Sequence, residues 1–348
     1  MGYLLPPGAP WVTYVPSLVR PVAPWSDLRA LWQVYLLLRR GRPRLVHTHT
    51  AKAGMVGRLA AVLYNITRRR SARVRLVHTY HGHVFEGYFS PRSTAIFEGV
   101  ERMLARWTDA LVAISPQIER ELIDTHRIGR PDQFRVVPLG FDLAPFAAID
   151  GDARRDARAA LNLPEEAAIV TSVGRLTSIK QPRLFLETAR IVKTRWPHAI
   201  FLIAGDGELR ADLEALTDTL GLRDSVRFLG WRRDLPRIYA ASDVFLLTSR
   251  NEGTPVALIE AMAAGVPGVS TDVGGVRDVI NDSGLGIRVP AGEAGALADS
   301  VHTLLDRPDL RRQMGDRARQ SVLERYSLDR LARDVATLYR ELLPDQPR

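Results

Sequence analysis

The 348 residues contain no cysteine. Disulfides, thiol nucleophiles and cysteine-ligated metals are therefore excluded, and the composition fits a reducing compartment. No apolar run approaches the ~20 residues that cross a bilayer as a helix. The sequence has no Gly-x-Ser-x-Gly elbow, no Walker loop and no protein-kinase set. No Asp-x-Asp stands where a strand is expected to end, so no seat for a diphosphate-bound metal is evident. The first residues do not read as a signal peptide, because the first Lys or Arg is Arg20. These absences suggest a cytoplasmic, metal-independent protein.

What remains is an ordinary globular composition, 46% hydrophobic and 25% charged, with length enough for two cores. The charge is uneven. Residues 1–145 hold 20 Lys+Arg against 10 Asp+Glu, and the rest of the chain 28 against 29. Clusters occur at Arg39-Arg40-Gly41-Arg42-Pro43-Arg44 and at Arg68-Arg69-Arg70 with Arg73 and Arg75. Such clusters suit an anionic membrane surface or a diphosphate-lipid acceptor, or else they are solvated loops. No nucleic-acid recognition motif accompanies them.

Apolar runs and amphipathic stretches alternate along the chain. A strand and loop are expected at 11–19, then a helix at 27–40 capped by Ser26 or Asp27. Strands follow at 45–49, 75–80, 110–114 and 134–138, with helices between them. The segment 139–164 loses strand character and reads as the interdomain linker and the entry to the second domain. The alternation restarts with strands at 168–173, 199–204, 226–229, 244–247 and 269–271, and the tail is helical from 293. Strands alternating with helices of this length indicate parallel sheets covered on both faces. The boundaries expected are 1–145 for a first domain, 146–326 for a second and 327–348 for a terminal helix.

Chemistry concentrates between Arg250 and Gly275. An apolar strand leads into Glu252-Gly253-Thr254-Pro255, then into a buried helix that ends at Gly265. Thr254 is the expected N-cap and Pro255 suits the first turn. A helix start at a strand's C-terminal end seats phosphate, and Glu252 and Glu260 bracket it as hydroxyl acceptors. Gly174-Arg175-Leu176-Thr177-Ser178-Ile179-Lys180 has the same strand–loop–helix placement. Gly174 lets a ligand approach the backbone, and Arg175 and Lys180 suit a departing diphosphate. Gly205-Asp206-Gly207 lacks the third glycine of a dinucleotide fingerprint; it reads as a tight turn or as a pocket wall. Trp231 is either a core residue or a contact for a nucleobase. Five of the eight histidines, His47, His49, His78, His81 and His83, lie at two strand ends. A third metal ligand with a plausible partner is not evident. His81, before Gly82, is the best placed to touch a sugar, whereas His47 and His78 read as core histidines.

Together these motifs resemble retaining glycosyltransferases of family 4, over nearly the whole chain. The most specific match is the Glu-x7-Glu pair, Glu252 and Glu260, supported by the Gly-Arg-Leu-x3-Lys loop. The resemblance implies a GT-B fold: two Rossmann-like parallel-sheet domains facing a cleft. It implies Glu252 on the donor sugar, Glu260 on the ribose, and Arg175 and Lys180 on the diphosphate. Gly253, Thr254 and Pro255 would hold sugar and phosphate, and His81 matches the first-domain active-site histidine. The donor implied is a UDP-sugar, with no separate cofactor. Thr79 to Phe89 is similar to the surface-polysaccharide and lipid-linked branch. Members of the family begin with a strand and a Gly-Gly loop. Here the pattern enters at about the third strand, so roughly 50 residues of the usual βαβ spacing are missing and the N-terminal domain is expected to be incomplete. Leu139 replaces a common Asn, and Gly268 a usual Val. The alternatives are a donor-binding scaffold subunit and a UDP-sugar 2-epimerase.

Overall fold

A computed structural model describes residues 11–19, 21–69, 72–81 and 91–343. His83 and the aromatic loop residues Phe85, Tyr88 and Phe89 lie outside them. The chain divides into two compact units, Met1–Pro138 with Arg333–Arg348, and Leu139–Ala332.

In the first unit, helix α1 (Pro24–Gly41) precedes strand β1 (Leu45–His49), α2 (Ala51–Ile66), β2 (Arg75–Tyr80), α3 (Pro91–Ala105), β3 (Ala110–Ala113), α4 (Pro116–Arg120) and β4 (Phe134–Val136). The four strands are parallel in the order β1-β2-β3-β4. Two local expectations are corrected. Residues 11–19 form turns and irregular backbone with no strand, and Pro16 among them has no N–H to donate to a ladder. Helix α1 starts at Pro24, whose fixed φ suits the first helical position, with Ala23 as N-cap. The Asp27 carboxylate reaches back to accept the Ala23 N–H at 3.1 Å, while the Ser26 hydroxyl donates to the Ser17 carbonyl. Ser115 caps α4, its Oγ accepting the Ile118 N–H.

Arg58 is fully buried under this sheet. Its Nη2 donates to both oxygens of Glu101 at 2.7 Å, and the Tyr80 hydroxyl donates to the same carboxylate at 2.8 Å. A buried charge is tolerated only when paired in this way. The network ties α2, α3 and the last residue of β2 together, directly before His81.

The second unit opens with α5 (Ala144–Ala147) and α6 (Gly151–Ala160), so the entry expected within 139–164 is helical. Its arginines explain why. Arg158 donates to Asp243 at 2.8 Å and Arg154 donates to the other oxygen at 2.7 Å, pinning α6 to the sheet. The unit continues as β5 (Ile169–Val173), α7 (Pro182–Arg195), β6 (Ile200–Ala204), α8 (Arg210–Thr219), β7 (Val226–Gly230), α9 (Leu235–Ala241), β8 (Val244–Leu247), α10 (Val256–Ala263), β9 (Gly268–Thr271), α11 (Val276–Val279), β10 (Gly286–Val289), α12 (Ala294–Asp306), α13 (Pro308–Tyr326) and α14 (Leu328–Leu342). Helix α14 passes into the residues grouped with the first unit. All six strands are parallel, in the order β10-β9-β8-β5-β6-β7. The chain therefore runs outward from β5 to one edge, then returns to β8 and runs to the other. The reversal falls between β5 and β8, and loops leaving a reversal diverge to open a crevice at the strands' C-terminal ends.

Candidate functional site

The loops leaving β5 and β8 carry the residues that the sequence pattern singles out. Lys180 Nζ lies 2.6 Å from Glu252 Oε1, and the Ser249 hydroxyl donates to the same oxygen at 2.6 Å. Glu252 is buried, and Lys180 is partly exposed. The two loops are also tied through their backbones. The Arg250 N–H donates to the Ile179 carbonyl at 2.8 Å, and Thr248 Oγ1 donates to the Lys180 carbonyl at 3.0 Å. Thr271 Oγ1, from β9, donates to the Ser249 carbonyl at 2.6 Å. Arg175 is exposed on the same loop and has no salt bridge among the described residues. The result is a cation and a carboxylate in fixed register, with a second cation free to meet an anion.

Glycines bring the loops this close. A Cβ on Gly205, where φ is +138°, would lie 1.9 Å from the Gly174 carbonyl oxygen. One on Gly207 would lie 2.5 Å from the Leu176 carbonyl oxygen. Gly205 and Gly207 therefore pack the wall of the β5 loop. A Cβ on Gly174 or Gly253, by contrast, would meet nothing within 4 Å, so the bare backbone at these two positions faces open space that a ligand can fill. Beneath Gly253 sits a pair that the motif reading does not assign. Cβ atoms on Gly274 and Gly275 would meet the carbonyl oxygens of Glu252 and Gly253 at 2.1 and 1.7 Å.

The expected cap of α10 is corrected. The helix begins at Val256, Pro255 occupies the N-cap position, and Thr254 makes no side-chain cap. Pro255 has ψ of 78°, outside the helical range, so the helical turn starts one residue later. Glu260 is partly buried in α10. The phenol of the fully buried Tyr239 donates to its Oε2 at 3.1 Å. Burial pushes the Glu260 carboxyl up from the ordinary value, against the opposing effect of that bond. Trp231 is 68% exposed, which removes the core reading; the Arg233 guanidinium lies 5.1 Å from its ring centre.

In the first unit, His47, His49 and His81 stand at the ends of β1 and β2. His47 is bonded through Nδ1 to the Tyr339 hydroxyl and through Nε2 to Thr79 Oγ1, both at 2.7 Å. His78 is buried with its Nδ1 2.8 Å from Thr48 Oγ1. His49 Nδ1 lies 2.9 Å from His81 Nε2. Among the described residues, no group of three His, Asp or Glu side chains converges as a metal site requires.

Burial, and then the neighbouring His49 and His81, push the His47 imidazole down from 6.5 to about 4. The unfolded chain thus takes up a proton near pH 6.5 that the folded chain refuses until about pH 4. The stability contributed by neutral His47 is complete above about pH 6.5 and is lost as pH falls through that window. Urea unfolding is expected to show a loss of about 2–3 kcal/mol between pH 7 and pH 4.5 from this group. His47→Gln should flatten the slope by that share; an equal loss in both proteins would refute the assignment.

Ser249, Tyr239, Gly274 and Gly275 are the residues that the sequence motifs miss. One further signal was open to the sequence: of 48 Lys+Arg only Lys52, Lys180 and Lys193 are lysines, so a lysine at position 180 stands out in an arginine-rich chain.

Residues 153–321 match the family described as "Glycosyl transferases group 1", and residues 4–145 match "Glycosyltransferase Family 4". The chain is 29% identical over 335 residues to the UDP-Gal:alpha-D-GlcNAc-diphosphoundecaprenol alpha-1,3-galactosyltransferase of Escherichia coli, covering 95% of this chain and 84% of that one. It is 30% identical over 334 residues to the alpha-D-kanosaminyltransferase of Streptomyces kanamyceticus, covering 92% and 84%. The fold matches that of Anabaena HepE, crystallised with UDP, at a TM-score of 0.79 and 22% identity, over 90% of this chain and 82% of that one.

Proposed function

The chain belongs to glycosyltransferase family 4 and has the GT-B fold, and we propose that it transfers a sugar from a UDP-sugar to a saccharide or lipid-diphosphate acceptor, with retention at the anomeric carbon. The observation that carries this reading is the Lys180–Glu252 pair at the reversal of the second sheet. Open parallel sheets bind ligands there. The E. coli relative's name, with its UDP-sugar donor and diphosphoundecaprenol-linked acceptor, supports the donor and acceptor classes.

In the proposed reaction the diphosphate rests against Arg175, Lys180 and the start of α10. The open backbone at Gly174 and Gly253, with Thr254 and Pro255 beside it, accommodates the donor. Glu260 accepts from the ribose and Trp231 borders the base. Glu252 accepts from the sugar hydroxyls, and His81 contacts the transferred sugar. The bond between the anomeric carbon and the diphosphate oxygen breaks. The acceptor oxygen bonds to that carbon from the same face, and its proton passes to the departing phosphate. Arg175 and Lys180 neutralise the charge that develops, the task a metal performs elsewhere.

A test is UDP release from a panel of UDP-sugars with a lipid-diphosphate acceptor. Transfer with retained anomeric configuration is the expected result. UDP binding without turnover would favour a donor-binding scaffold instead. Glu252→Gln should lower kcat by about tenfold or more and shift the UDP Kd by less than about threefold. Equal damage to both would count against contact with the sugar.

Peripheral association with an anionic membrane is part of the same proposal. It is supported by Trp25, Leu28 and Trp32, exposed at helical spacing on α1, and by Arg29, Arg39 and Arg40 on that helix. Supplying the acceptor in anionic rather than neutral vesicles should raise the transfer rate; equal rates would remove the membrane from the account.

A further inference from the structure

His47 and His49 alternate along β1, and Thr79 and His81 do so at the end of β2. Register pairs His49 with Thr79. Side chains two apart on a strand share a face, so these four meet on one side of the sheet. His47 is fixed by bonds at both nitrogens, and its ring centre lies 4.4 Å from that of His49. The rings of His49 and His81 are 5.1 Å apart and joined by the 2.9 Å Nδ1···Nε2 contact.

A neutral imidazole has one N–H and one bare nitrogen. A direct bond between two such rings therefore requires one to donate and the other to accept. The other nitrogens, Nε2 of His49 and Nδ1 of His81, have no bond among the described residues and are then complementary: one is N–H and the other bare, whichever ring donates. Among the described residues no carboxylate bonds to either ring. The titratable groups that interact with both rings of the pair are His47 on β1 and His78 on β2. Neither of these draws a proton onto the pair, and burial, followed for His49 by the nearby His81, keeps both rings below the ordinary histidine value.

We propose that His49 is a positioning residue that fixes the tautomer of His81, so that His81 meets a sugar hydroxyl with a single defined donor or acceptor nitrogen. The ligand class is a neutral polyol, since a hydroxyl both donates and accepts. The proposal rests on the reading that His81 contacts the transferred sugar, and its test separates the two.

Long-range 1H–15N spectra of histidine-labelled protein, without substrate, report the protonated nitrogen of each ring. In the native protein His81 should show one tautomer. In His49→Leu it should show the averaged shifts of a mixture. Transfer by His49→Leu should drop about tenfold or more in kcat with donor KM within about threefold. His49→Asn, which keeps a polar atom at the Nδ1 position, should recover most of that loss and should restore the single tautomer. An unchanged His81 spectrum in His49→Leu overturns the proposal at any activity. A changed spectrum with native kcat overturns its functional half. Undiminished transfer by His81→Ala overturns the underlying reading instead, and leaves the spectral result to decide the tautomer lock.

Discussion

Replacing Lys180 by alanine is expected to lower kcat/KM by about 10²–10³-fold, a few kcal/mol of transition-state stabilisation. The amine faces a diphosphate that gains charge as it leaves, so its contribution grows toward the transition state and should appear in kcat. The structure adds a second consequence. Lys180 is the cation on buried Glu252, at 2.6 Å, and its removal leaves that carboxylate with the Ser249 hydroxyl alone on the same oxygen. Because Lys180 is partly exposed, water screens part of the loss, and about 1–2 kcal/mol of stability is expected to go with it. Steady-state kinetics with thermal unfolding run in parallel separates the two effects. A change in kcat/KM below twofold in folded protein would remove Lys180 from the chemistry. Lys180→Ala with Glu252→Gln should be strongly non-additive, because each single change already breaks the pair.

The other large effect is expected at a residue with no functional group. Gly275 has φ of −66°, which alanine adopts freely, so backbone strain is not the obstacle. The obstacle is the Gly253 carbonyl oxygen, 1.7 Å from where the new Cβ would be. Neither atom belongs to a movable side chain, so the backbone between Glu252 and Thr254 must shift. Overpacking of this kind typically costs about 1–3 kcal/mol or more. Gly275→Ala is expected to lower Tm by several degrees and to weaken UDP binding by more than about tenfold, the second through displacement of Gly253. Calorimetric titration of UDP measures it. Native UDP affinity in Gly275→Ala would mean that the Glu252–Thr254 loop does not form the donor seat.

The two expectations differ in how much the sequence discloses of each. Lys180 and Glu252 are legible because each stands in a spaced motif between an apolar strand and a helix. Gly275 is visible only as one glycine of a Val-Gly-Gly run, since what it must fit beneath lies over 20 positions earlier. Tyr239 and Ser249 were silent for the same reason: a phenol in a helix and a hydroxyl at a strand end are common, and their partners Glu260 and Glu252 are fixed by packing. The packing of the Arg-rich stretch at 151–160 is not legible because its charge suggests solvent, whereas its ionic partner Asp243 stands just before a strand more than 80 residues later.

The sequence by itself determined the two parallel α/β sheets, the strand ends at which polar residues gather, and the residue types offered there. These follow from apolar periodicity and turn chemistry, which act over a few residues. Tertiary structure alone decided which of those residues touch. It joined Lys180 to Glu252 across the β5–β8 reversal, exposed Trp231, started α10 after Pro255, and bonded His49 to His81 while closing His47 between Thr79 and Tyr339. Contacts between distant residues depend on sheet order and register, and neither is written in any local pattern.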